Sequence, residues 1–144
     1  MRAFWHLILP EATSDKIAAL LRDLPVEEFA VIHWTRVEFS SLIAREVRVG
    51  GLDRETARKI DARFDAMVEE SFAVLLPDSD DFSRARHYLG RFETGLRAGD
   101  ALHLAIAANR HAAAIYTLDK RLLRAGEILG LPVSLGISAA ERPD

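Results

Sequence analysis

Short apolar runs alternate along this chain with longer amphipathic stretches, in which apolar and polar residues are mixed. Short apolar runs with β-branched centres are typical of buried strands, and apolar residues recurring every three or four positions are typical of helices. The predicted strands cover residues 28–33, 72–76, 113–118 and 132–137. The predicted helices cover residues 14–21, 35–49, 53–70, 81–92, 100–111 and 121–129. Because the two kinds of element alternate, we expect a three-layer α/β fold, with a parallel sheet flanked by helices on both faces.

The length and composition predict one domain. With 144 residues, 49% of them hydrophobic, residues 1–137 are expected to form a single compact unit followed by a loose tail at 138–144. The apolar run at 4–9 is too short to span a bilayer or to serve as a signal segment, so no membrane association is expected. The chain has no cysteine, which excludes disulfides and thiolate metal sites and suits a reducing cytoplasm.

The charge balance limits how the protein can contact nucleic acid. Lysine and arginine total 19 against 22 acidic residues, for a net charge of −3. This excludes a protein that coats nucleic acid through overall positive charge, so any such contact must be local. All but three of the basic residues are arginines, which bind phosphate or carboxylate through two hydrogen bonds.

Three acidic residues stand where parallel strands end. Glu38 falls in the first turn of the helix after the 28–33 strand, Asp100 begins a largely apolar helix, and Asp119 follows the 113–118 strand. Because parallel strands share one carboxyl edge, these carboxylates are expected together, with Asp100 and Asp119 the closest pair. Clustered carboxylates repel one another unless a cation bridges them, and oxygen ligands suit Mg²⁺ or Mn²⁺.

Each of these residues also has an ordinary structural explanation. Asp100 is a good helix N-cap, Asp119 is a common turn residue, and Glu38 near a helix start interacts favourably with the helix dipole. His103, one turn after Asp100, is expected to be a buried, hydrogen-bonded core residue. Trp5, Trp34 and the seven phenylalanines mostly fall on apolar stretches and are expected to pack in the core, so no aromatic platform for stacking is predicted.

Arginines flank the acidic positions along the sequence. Arg97, Arg121 and Arg124 are candidates for a rim that binds an RNA backbone or an antitoxin segment, although solvated surface arginines are the simpler interpretation. Thr117, two residues before Asp119, could orient a water molecule or a ligand, although threonine is common in strands.

Several segments resemble the PIN-domain family, specifically the VapC-type toxins of bacterial toxin–antitoxin pairs. The resemblance spans about residues 7–137 and rests on segments 9–11 (Leu-Pro-Glu), 35–39, 96–105 and 115–122. It implies a Mg²⁺- or Mn²⁺-dependent endoribonuclease that cleaves structured RNA such as tRNA or rRNA, with Glu38, Asp100 and Asp119 as catalytic and metal-binding residues. It also implies a homodimer and inhibition by a VapB-type antitoxin.

One departure from the family pattern concerns the N-terminus. The family's first strand ends in Asp-Thr-Ser shortly before Leu-Pro-Glu, whereas no acidic residue precedes Glu11 here. We therefore expect the first strand and its catalytic aspartate to be missing, with the 4–9 run as an alternative strand. A start codon placed too far downstream, a truncated chain or a degenerate gene would each explain this.

This departure leaves a second function open. A catalytically weakened PIN-like module would bind an antitoxin-like peptide or RNA without cleaving it. A receiver-like or haloacid-type phosphoryl-transfer domain fits less well, because no aspartate ends a strand before Glu38.

Overall fold

The computed structural model describes residues 3–6 and 29–135, which contain a five-stranded parallel sheet. The strands are β1 (Ala3–His6), β2 (Phe29–Ile32), β3 (Phe72–Leu75), β4 (Ala114–Thr117) and β5 (Val133–Leu135). Their order across the sheet is β3-β2-β1-β4-β5, and every neighbouring pair is parallel. The Leu-Pro-Glu segment, the predicted helix at 14–21 and the predicted tail at 138–144 lie outside the described residues.

Helices cover both faces of this sheet, which confirms the predicted three-layer α/β fold. They are α1 (His33–Arg48), α2 (Arg54–Ser71), α3 (Ser79–Leu89), α4 (Ala98–Asn109) and α5 (Lys120–Leu129), with a short 3₁₀ turn at Phe92–Thr94. Val31 of β2 packs against α1 and α2, whereas Ala30 and Ile32 pack against α3, α4 and α5 on the opposite face. This alternation is what a strand buried on both sides requires.

The centre of the sheet corrects one expectation. β1 lies between β2 and β4, so the expectation that the first strand is missing is wrong. Its four residues pair in register with β4, from Ala3 beside Ala114 to His6 beside Thr117. The alternative, in which the 4–9 run supplies this strand, is confirmed for residues 4–6, which lie in β1. A short apolar segment is enough at this position, because the neighbouring strands pair its backbone on both sides.

Helices α1, α3 and α4 each begin two residues earlier than the sequence predicts, and for α1 and α4 the difference changes the position of a candidate site residue. Helix α1 follows β2 without a loop, and its N-cap residue Ile32 makes no side-chain capping bond. Helix α4 begins at Ala98, so Asp100 is its third residue and not its N-cap. Glu38 consequently lies in the second turn of α1. Tertiary packing, and not a capping residue, decides where these two helices begin.

No helix in the described part of the chain is both long enough and apolar enough to cross a membrane.

Candidate functional site

Glu38 and His103 join α1 to α4 through a hydrogen bond. Glu38 Oε2 lies 2.8 Å from His103 Nε2. His103 is fully buried, and the Glu38 side chain is 17% exposed. The prediction that His103 is a buried, hydrogen-bonded residue is confirmed, and Glu38 points inward from its helix.

Gly99 allows α1 and α4 to approach closely at this point. A Cβ atom on Gly99 would lie 3.1 Å from Glu38 Oε1 and 3.3 Å from Trp34 Nε1, which is tighter than ordinary packing. Glu38 therefore lies against the first turn of α4, immediately beside the residue that precedes Asp100. The unpaired N–H groups in a first helical turn favour carboxylates electrostatically. The fold thus brings Glu38 to the end of α4 that carries Asp100.

Asp119 occupies the turn between β4 and α5. Its carboxylate caps α5 by accepting a hydrogen bond of 2.8 Å from the Arg121 N–H, and its own N–H donates to Thr117 Oγ1 at 3.0 Å. The side chain is 13% exposed and also faces Arg121 Nε at 3.6 Å. The structural explanation of Asp119 as a turn and capping residue is therefore confirmed.

Thr117 and the flanking arginines differ in accessibility. Thr117 is fully buried, so its side chain is not part of the exposed surface on which the arginines lie. Its hydroxyl accepts the Asp119 N–H, and it therefore positions the β4–α5 turn. Arg97, Arg121 and Arg124 are all exposed, and Arg97 is the N-cap residue of α4.

Trp34 also differs from its prediction. The side chain is 46% exposed and does not lie in the core. The apolar run at 29–32 comes shortly before it, but β2 ends at Ile32 and α1 begins immediately. The first turn of α1 therefore carries Trp34 to the surface of the molecule, with its Nε1 atom beside Gly99.

The topology assigns the three predicted acidic residues to one edge of the sheet. Glu38 lies on the helix after β2, Asp119 directly follows β4, and Asp100 adjoins the contact between Glu38 and Gly99. The intervening strand β1 ends at His6. The oxygen donors of these residues suit Mg²⁺ or Mn²⁺ by chemistry. Within residues 3–6 and 29–135, however, no three histidine, aspartate or glutamate side chains lie close enough together to hold a metal ion.

A fully buried acid lies at the opposite end of α4. Asp81 forms a capping box with Asp78 at the start of α3. The fully buried Asp81 carboxylate also accepts a 2.8 Å hydrogen bond from Asn109 Nδ2 and lies 3.3 Å from an Arg110 guanidinium nitrogen. Arg110 donates in addition to the Leu76 carbonyl oxygen at 3.2 Å. The sequence suggests the cap, but the contact with α4 is visible only in three dimensions.

Comparisons with known proteins agree with this architecture. A match to the PIN domain extends over residues 3–128. The chain also superimposes on the crystal structure of PAE2754 from Pyrobaculum aerophilum with a TM-score of 0.61 and 19% sequence identity, covering 86% of this chain and 85% of that one. A comparison with curated proteins finds no match. The extent of the domain match and the shared α/β fold show that this chain belongs to the PIN-domain family.

Proposed function

We propose that this protein is a metal-dependent endoribonuclease of the VapC type, the toxin of a toxin–antitoxin pair that cleaves structured RNA of the tRNA or rRNA class. PIN domains are generally metal-dependent nucleases, and the chain matches that family from residue 3 to residue 128. The observation that carries the proposal is the fixed position of Glu38. The buried His103 holds this carboxylate against the first turn of α4, beside Asp100.

Each polar residue of this region has a role in the proposed reaction. Glu38, Asp100 and Asp119 would hold one or two Mg²⁺ or Mn²⁺ ions, which supply Lewis acidity toward the scissile phosphate and toward water. His103 orients the Glu38 carboxylate through the 2.8 Å hydrogen bond. Hydrogen bonds of this kind fix a metal-ligating group in one orientation.

The exposed arginines are the proposed contacts for the polyanionic substrate. Arg97, Arg121 and Arg124 carry guanidinium groups at the surface, two of them on the helix that Asp119 caps. Local contacts of this kind let a protein with a net charge of −3 bind RNA phosphates. The same arginines would contact the C-terminal segment of a VapB-type antitoxin. We also propose that the protein acts as a homodimer in the cytoplasm.

Incubation of structured RNA with the purified protein tests this function. We expect cleavage with 5′-phosphate ends in Mg²⁺ or Mn²⁺ and none in a chelator. Asp100→Asn should reduce cleavage by more than the roughly 10- to 100-fold typical of losing a hydrogen-bonding partner of a ligand. Asp80→Asn is the matched control, because Asp80 is an exposed acid in the first turn of α3.

One observation favours a second function, in which the domain binds RNA or an antitoxin-like peptide without cleaving it. The central strand β1 ends at His6 and contains no carboxylate, whereas the strand that opens the family pattern ends in aspartate. RNA binding that persists without cleavage in every divalent metal would favour this module over the nuclease.

The variant His6→Asp distinguishes the two functions further. The backbone of His6 pairs with Thr117, two residues before Asp119. If an additional carboxylate completes the metal site, we expect Mn²⁺ affinity to rise about tenfold, because ligand charge helps to set affinity in oxygen-ligand sites. Calorimetric titration of both proteins with Mn²⁺ measures this change. Unchanged affinity would contradict a metal site at the end of β1.

A further inference from the structure

Trp34 is a partly exposed tryptophan beside the candidate site. It lies in the first turn of α1, four residues before Glu38, and is 46% exposed. Tryptophan is mostly buried in folded proteins, so an indole left half open is more informative than an exposed aliphatic side chain.

The position of the indole is set by the same contact that sets Glu38. Residues four apart on a helix lie on one face, and both side chains meet α4 at Gly99. A Cβ atom on Gly99 would lie 3.3 Å from Trp34 Nε1 and 3.9 Å from Trp34 Cδ1. The pyrrole edge of the indole thus adjoins α4, while nearly half of the side chain faces solvent. The result is an aromatic surface held next to the Glu38 carboxylate.

An exposed arginine at the start of α4 supplies a cation on the side of α4 that Trp34 adjoins. The first turn of α1 contains no acidic residue. The exposed Arg97 precedes Gly99 by two positions at the start of α4. A nucleotide needs both an aromatic surface for its base and a cation for its phosphate, and Trp34 with Arg97 supplies these two groups.

We propose that Trp34 is a positioning residue that stacks on a base of the RNA substrate and thereby directs the adjacent phosphate toward Glu38 and Asp100. This inference rests on the proposed nuclease function. Stacking on an indole tolerates every base, because each base has a π face. Trp34 therefore positions the strand and does not select its sequence.

Binding measurements on three variants test this role. The probe is a short, single-stranded, fluorescein-labelled RNA, and Ca²⁺ replaces Mg²⁺ to limit cleavage during the titration. Trp34→Ala should weaken binding about 5- to 150-fold, because one stacked base contributes about 1–3 kcal/mol. Trp34→Phe should retain most of the affinity. Phe82→Ala is the matched control, since Phe82 is an aromatic residue 52% exposed that adjoins Asp81 at the opposite end of α4.

Abasic substitutions in the RNA separate stacking from a purely structural role. Removing the stacked base should weaken binding by the wild-type protein and leave binding by Trp34→Ala unchanged. The RNA should also quench indole fluorescence in the wild-type protein more than in Trp34→Phe, which retains only Trp5.

Two results would overturn the inference in different ways. If the wild-type protein cleaves RNA but no abasic position changes its Kd, Trp34 does not stack on a base and the nuclease proposal stands. If the wild-type protein neither binds nor cleaves RNA, the proposed function fails and the inference fails with it. Because abasic scanning uses the wild-type protein, this test does not depend on the folding of Trp34→Ala.

Discussion

The two ends of α4 each meet an inward-pointing carboxylate, but the surroundings of the two carboxylates differ. At the C-terminal end, Asp81 accepts from the Asp78 N–H and Asn109 and faces the Arg110 guanidinium. At the N-terminal end, Glu38 is hydrogen-bonded to His103 through one oxygen, and its other oxygen lies over Gly99. Ten residue steps separate Asp100 from Arg110, which corresponds to about 15 Å at the helical rise per residue.

This difference shows how the surroundings of a buried acid indicate its role. An arginine and several donors compensate the negative charge of Asp81, as expected for a group that fastens two helices together. Glu38 is oriented by a single histidine and points toward a first helical turn, as expected for a group that is positioned for a ligand. Helix α4 is buried along most of its length, so it presents both ends rigidly.

The largest expected effect follows from removing the Asp81 carboxylate, which anchors α3 to the end of α4. Asp81→Ala should lower the free energy of unfolding by about 3 kcal/mol, because it leaves Asn109 and Arg110 without their buried acceptor. Urea denaturation of the variant and of Asp80→Ala measures the difference. A loss no larger than that of Asp80→Ala, which removes an exposed acid, would show that Asp81 is not an anchor.

Changing His103 should affect activity more than stability. We expect His103→Leu to reduce RNA cleavage by about 10- to 100-fold, because Glu38 loses the partner that orients it. His103→Gln should restore part of the activity, since its amide can donate to the carboxylate. The measurement is kcat and KM for each variant, with His87→Gln on α3 as an exposed control. Equal activity of the leucine and glutamine variants would contradict the orienting role.

A smaller effect is expected at Gly99, where a substitution should change activity without changing stability. Alanine is the better helix former, by up to about 1 kcal/mol in a helix interior, and this gain offsets the cost of the close contact, so Gly99→Ala should change the melting temperature little. The added methyl group would, however, lie 3.1 Å from Glu38 Oε1 and displace it by a few tenths of an ångström. We expect cleavage to fall several-fold, because small misplacements of reacting groups are costly. Unchanged activity would mean that the close contact with α4 has no role in the reaction.

The smallest expected effect concerns Asp53, whose carboxylate lies away from both ends of α4. Asp53 caps α2, and hydrogen bonds from the Thr56 hydroxyl and the Thr56 N–H lower its pKa below the usual 3.8. A pKa lowered by folding adds stability above the unfolded value and loses it as the pH falls through the folded value. The slight advantage of the wild type over Asp53→Asn should therefore exist at neutral pH and vanish once the pH falls below the lowered pKa of Asp53 in the folded protein. Thermal melts of both proteins across this range measure it, and a constant difference would contradict it.

Much of the fold was predictable from the residues themselves. The short apolar runs at β2, β3, β4 and β5 and the amphipathic helices lie close to their predicted positions, because hydrophobic periodicity reports burial directly. The missing-strand prediction was wrong because it counted back from a family motif. The pairing of β1 with both of its neighbours depends on distant residues, which spacing along the chain does not reveal.

Some features of the candidate site were likewise predictable from the sequence, and others were not. The sequence by itself determined that Glu38 and Asp119 lie near strand ends, that Asp100 lies near a helix start, and that His103 is buried. Only the tertiary structure decided that His103 meets Glu38, that Asp81 fastens the far end of α4, that Thr117 is inaccessible and that Trp34 is exposed. The physical reason is the distance along the sequence over which each feature is set. Burial patterns and caps arise from neighbours within one or two helical turns. Each of the other features depends on where two separate helices, or a strand and the turn that follows it, come to lie.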